Sequence, residues 1–160
     1  MLMKLNKFIL LLITLTSFSL LAVGAYLQFQ LDMAPCPLCI LQRYAFAATG
    51  LICLITFFTA KKYTKFGSTL AMIASLSGAI IAARHLWIKA HPTVSCGIDP
   101  LETSLNKIIS AKLLPFLFQA DGLCTTEYDP ILGLSIPQWS VIWFVIFFLA
   151  LSFTVIRKSD

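Results

Sequence analysis

Four apolar runs, at roughly 8–29, 40–60, 67–88 and 137–156, constrain this chain more than any other feature. A helix of about 20 residues is about 30 Å long, which matches the hydrocarbon core of a bilayer. Composition agrees with a solvent other than water. The chain is 59% hydrophobic and 12% charged, whereas soluble domains are about half apolar and about a quarter charged. The predicted fold class is an all-α membrane protein, a bundle of four transmembrane helices forming a single integral membrane domain over residues 1–160. The third run carries Ser75, Ser77 and Gly78, small residues that suit close helix packing in lipid.

The positive charges set the orientation, because cytoplasmic connectors are enriched in lysine and arginine. Lys4 and Lys7 precede the first run, Lys61, Lys62 and Lys65 separate the second from the third, and Arg157 and Lys158 follow the fourth. Both termini are therefore expected inside. Asp99, Glu102, Asp121, Glu127 and Asp129 fall in the long outer loop, and Asp32 in the short one. The net charge of +5 is thus read as membrane orientation, not as nucleic-acid binding. The basic start and Val23-Gly24-Ala25 have the marks of a cleaved signal, but the first apolar run is longer than a signal core of about 7–15 residues. It is read as a retained span.

Two loops are expected on the outer face, a short one at about 30–39 and a long one at about 89–136. Long loops without secondary structure of their own are usually functional or disordered. Within the second, "LLPFLF" (113–118) is too short to span and is expected on the membrane surface, or packing the loop. The last span opens with "SIPQW". Ser135 and Gln138 have capping-box spacing, Pro137 suits a first turn, and Trp139 and Trp143 suit the interface.

This topology places four of the five cysteines outside, where disulfides are permitted. Cys53 lies within the second span and reads as a small buried hydrophobe. The outer four read as two pairs, Cys36–Cys39 and Cys96–Cys124. A bond between neighbours such as Cys36 and Cys39 constrains little chain, so C-x-x-C points to redox exchange or metal binding rather than to stability. Pro37 fits the first turn of the second helix, which puts Cys39 where unpaired N–H groups and the helix dipole favour a thiolate. Arg43 follows one turn later on the same face, and either supports that anion or snorkels to the interface. The pair Cys96–Cys124 is either a static staple or a mobile carrier to a soluble partner. A dithiol at the membrane edge is placed to pass electrons to a lipid quinone. His85, beside Arg84, is placed either to hydrogen-bond such a quinone or to face headgroups, and His91 reads as loop. A metal-handling site from Cys36, Cys39, Cys96 and His91 is a rival, and a scaffold with two structural disulfides is another.

"CPLCILQR" (36–43), with Cys96, Cys124 and "LGLSIPQW" (132–139), resembles the disulfide bond formation protein B family of bacterial inner-membrane thiol oxidases, over nearly the whole chain. The resemblance implies four spans with cytoplasmic termini, active cysteines on the periplasmic side, and no metal cofactor. It implies ubiquinone or menaquinone near the outer surface, held by Cys39, Arg43 and His85. It implies a periplasmic DsbA-like oxidase as partner. That partner's thiolate would attack Cys96 and free Cys124. Cys124 would then attack Cys36 and release Cys39. Catalytic residues are thus expected to be Cys36, Cys39, Cys96 and Cys124. The same architecture run backwards would be a quinol-linked disulfide reductase.

Overall fold

The structure, a computed structural model, describes residues 2–91, 93, 101–126 and 128–156. Cys96, Asp99, Glu127, Arg157 and Lys158 lie outside them. The described residues form seven helices in the order α1 (Leu2–Gln30), α2 (Pro37–Phe58), α3 (Lys61–Ala90), α4 (Thr103–Asn106), α5 (Ile109–Leu113), α6 (Pro115–Phe118) and α7 (Ile136–Ile156). Four of them, α1, α2, α3 and α7, are long and apolar enough to cross a membrane. No strand occurs among the described residues. One isolated β-bridge pairs Ile131 with Leu134.

The four long helices overlap the four apolar runs, with three starts shifted, the first being α1 at Leu2 rather than about residue 8. α2 begins at Pro37 rather than about residue 40, because Cys36 caps it and proline is tolerated at the first helical position. α3 begins at Lys61 rather than about residue 67. The basic segment read as a connector has no proline to interrupt it, so it forms the first turns of the helix. Only Thr59 and Ala60 join α2 to α3.

α2 packs on α1 and α3, and α3 packs on α7, while α1 and α7 touch little. The core is aromatic at its centre. Phe46 of α2 stacks on Phe144 of α7 with ring centroids 4.0 Å apart, and Phe147 meets Phe46 edge-on. Gly78 makes room for this: a Cβ there would run into the Phe144 ring. Ser75 donates to the Phe144 carbonyl at 2.9 Å, tying α3 to α7. Ser77 is exposed and bonds within its own helix. Two of the three small residues in this span thus serve helix packing.

The segment between α3 and α7 folds back over the end of the bundle where α2 begins. Proline starts α6, and Phe118 turns inward to stack on Tyr44 of α2 at 4.4 Å. Leu113 is left exposed, so "LLPFLF" divides between packing on α2 and facing outward. Asn106 clamps the returning chain by exchanging two bonds with the backbone of Ala120. Entry to α7 is set by Gln138, whose Oε1 accepts from Ser135 N–H at 2.7 Å and from its hydroxyl at 2.9 Å. A tight turn precedes it, with Leu132 and Gly133 both at positive φ. Trp139 ties that turn to α7 by donating to the Ile131 carbonyl at 2.9 Å.

Candidate dithiol site

The site begins at the N-terminus of α2. Cys36 holds the N-cap position in extended conformation, and its sulfur accepts from the Cys39 backbone N–H at 3.4 Å. The capping geometry turns Cys39 back over Cys36, so the two sulfurs meet at 3.1 Å, with Cys36 donating to Cys39. A disulfide bond is about 2.05 Å long. Both residues are free thiols, the reduced form of the pair expected from the C-x-x-C. Cys36 is 2% exposed, while Cys39 is half-buried. The bond to Cys39, and then burial, push the Cys36 thiol well above its ordinary pKa.

α3 brings His85 against both sulfurs. Its Nε2 lies 3.8 Å from Cys36 Sγ and its Nδ1 lies 4.0 Å from Cys39 Sγ. Two stronger contacts fix the ring. Nε2 is 3.2 Å from the Cys124 carbonyl, which only accepts, so Nε2 carries the proton there. Nδ1 is then an acceptor, and the Gln42 amide Nε2 donates to it at 3.2 Å. Neighbouring Arg84 is exposed.

Arg43 is held rather than free to snorkel. It donates to Gln28 Oε1 and the Leu117 carbonyl, both at 2.9 Å, and to the Gly24 carbonyl at 3.1 Å. Neutral acceptors from α1 and α6 thus solvate the guanidinium within an apolar bundle. It lines a cavity of about 120 Å³ together with Cys36, Cys39, Gln42 and His85. That cavity adjoins a second one of about 210 Å³ along the loose α1/α7 seam, walled by Leu20, Val23, Leu27, Trp139 and Trp143. Leu20, Gly24, Leu27 and Ser140 line both.

The second loop closes the outer side. Asp121 and Gly122 N–H groups both donate to the Pro35 carbonyl at 3.1 Å, and a Cβ on Gly122 would strike Ala34. Tyr128 donates to the Ala34 carbonyl at 3.2 Å. Cys124, disulfide-bonded and buried, packs in one cluster with Cys36, Leu38 and Ile88. Its expected partner, Cys96, lies outside the described residues.

Of the residues singled out in the sequence, Cys36, Cys39, Arg43, His85 and Cys124 thus line one cavity. His91 does not join them. It stacks on Trp87 and bonds that residue's carbonyl at 2.9 Å, so the metal set that included it is not assembled. Cys53 is fully buried within α2, in the main core. Gln42 and Tyr128 are additions. Gln42 follows Cys39 at i+3, so helical spacing already places it on the same face. Tyr128 carried no signal, since loop docking brings it in.

The family model for disulfide bond formation protein DsbB matches residues 6–154. The chain is 60% identical to a disulfide bond formation protein B of Herminiimonas arsenicoxydans, over 99% of this chain and 100% of that protein. It is 44% identical to the one from Cupriavidus necator, over 93% and 92% respectively, and 41% identical to the one from Ralstonia nicotianae.

Proposed function

The chain belongs to the disulfide bond formation protein B family, and from that premise we propose that it oxidises a periplasmic DsbA-like dithiol protein and passes the electrons to membrane quinone. Family and fold together make it a multi-pass inner-membrane disulfide oxidoreductase. One observation carries the finer reading. Cys124 packs against Cys36, and the cavity these two share with Cys39 adjoins the apolar groove along the α1/α7 seam. Electrons can therefore enter through sulfur and leave through lipid without crossing water.

The overall balance is partner dithiol plus quinone giving partner disulfide plus quinol. The partner thiolate attacks Cys96 and frees Cys124. Cys124 attacks Cys36 of the oxidised pair, and Cys39 leaves as a thiolate at the α2 N-terminus, where backbone N–H groups and the dipole stabilise it. The partner's second thiolate then displaces Cys96, which releases the oxidised partner, and the Cys96 thiolate attacks Cys124, which re-forms the Cys96–Cys124 bond and frees Cys36 beside Cys39 as a reduced pair. A ubiquinone or menaquinone, when bound, supplies the two-electron, two-proton acceptor. The cavity fits such a group: thiol, guanidinium and imidazole surround the headgroup position, and the apolar α1/α7 groove suits an isoprenoid tail. Arg43 places positive charge beside the cavity. His85 orients there through Gln42 and Cys124, and can exchange a proton with a quinone oxygen. The active side is periplasmic in this reading, with both termini in the cytoplasm.

The test supplies purified protein in detergent with quinone and a reduced DsbA-like protein, and follows loss of quinone absorbance. Wild type should turn over, while Cys39→Ser should be silent. Wild-type rates in that variant would sink the role given to Cys39.

A further inference from the structure

We propose that the reduced site is a copper trap: Cys36, Cys39 and His85 together bind one Cu(I) ion and so lock the dithiol. Three ligand atoms, the two sulfurs and a ring nitrogen, lie within 4.8 Å of one another, brought together by the start of α2 and by α3. Thiolates select soft ions such as Cu(I), and imidazole also binds copper, so the donor set admits Cu(I) and the charge count below separates it from zinc. With metal–sulfur and metal–nitrogen bonds of about 2.3 Å and about 2.05 Å, trigonal binding needs sulfur and nitrogen about 3.8 Å apart. Cys36 Sγ and His85 Nε2 are 3.8 Å apart already. The two sulfurs, at 3.1 Å, must open by about 0.9 Å to reach trigonal spacing. Cys36 precedes the helix and borders the cavity, so a side-chain rotation suffices.

The surroundings bear on the filled state in both directions. A ligating Nε2 gives up its proton, which then sits on Nδ1 and needs an acceptor. Gln42 provides one by turning its amide over, placing Oε1 where Nε2 now stands, 3.2 Å from Nδ1. The Cys124 carbonyl loses its donor, so metal entry competes with the docked loop. Charge selects the ion. Two thiolates and Cu(I) sum to −1, which Arg43 on the same cavity cancels, while Lys89 and Asp129 cancel each other. A divalent ion would leave a net positive charge at the membrane edge. The step is a ligand substitution in which two thiol protons leave and no electron moves. If the proposed function holds, the ion inhibits by blocking disulfide formation between Cys36 and Cys39.

The experiment uses the full chain in detergent with Cys96→Ser, Cys124→Ser and Cys53→Ala, reduced anaerobically and freed of reductant. Cu(I) is titrated against a chromophoric Cu(I) chelator. One ion per chain is expected, with a near-ultraviolet sulfur-to-copper band. Binding should vanish in Cys39→Ser and weaken about 10–100-fold in His85→Ala and in Gln42→Leu. Wild-type affinity in both of those last variants reduces the site to a bare dithiol and overturns the proposal. So does a preference for Zn(II), which contradicts the charge count. The readout needs neither quinone nor partner, so failure of the proposed function leaves it standing.

Discussion

Cys36 donates its proton to Cys39, and that asymmetry divides the work of the two thiols. A thiol pushed above its ordinary pKa stays protonated where a free cysteine, with a pKa of about 8.5, already ionises. Only the thiolate is nucleophilic. Alkylation of Cys36 in the reduced protein should therefore remain slow at pH 8 and rise only at clearly more alkaline pH, as peptide mass spectrometry would show. A midpoint at or below that of a free thiol would contradict the donor role. The same shift has a stability sign. The unfolded chain ionises first, so the contribution is complete below about pH 8.5 and is lost as pH rises beyond it. At Arg43 the effect is one of satisfaction. Arg43→Met strands Gln28 Oε1 and the carbonyls of Gly24 and Leu117. The expected cost is about 1–3 kcal/mol, read as a lower thermal midpoint in detergent. Arg43→Lys should recover only part, because an ammonium lacks the planar fork that reaches all three.

At the scale of elements, α3 and α7 depend on the absence of a side chain at Gly78. Gly78→Val should cost about 1–3 kcal/mol by forcing Phe144 out of its stack with Phe46, and a thermal shift assay reads this directly. Ser77→Val, on the exposed side of the same turn, should change little and serves as the control. Much at this scale was legible in the sequence. Length and hydropathy fix the four spans, and Pro37 fixes the start of α2 and thus the place of Cys39. The folding of the second loop was not legible. α4, α5 and α6 are four to five residues long, too short for a periodic signal. Their positions come from Asn106, Phe118 and the Pro35 carbonyl, tertiary contacts that leave no local pattern. Gln42 lies between the two cases. Its face was readable from helical spacing, but its partner on another helix was not.

At the scale of the whole molecule, the proposed function makes the loose α1/α7 seam the route from site to lipid. Ser140→Trp would fill the junction of the two cavities. Turnover with a long-tailed quinone should then lose affinity, raising KM, while a tailless analogue is affected less. Equal effects on both would remove the seam from the route. Sidedness has its own check: an impermeant thiol reagent added to whole cells should label Thr126→Cys and not Lys62→Cys.

The turn between α2 and α3 is only Thr59 and Ala60. Two rods hung from one short hinge measure distance from that hinge, so the meeting of Cys39 with His85 is set by counting residues up each rod. One residue inserted in either rod slides its far end by about 1.5 Å and swings it by about 100°, which carries sulfur and imidazole out of reach of each other. Insertions beyond Ala90 leave that count untouched. A one-residue insertion between Cys39 and His85 should therefore separate the two side chains, whereas one placed after α3 should leave their meeting intact.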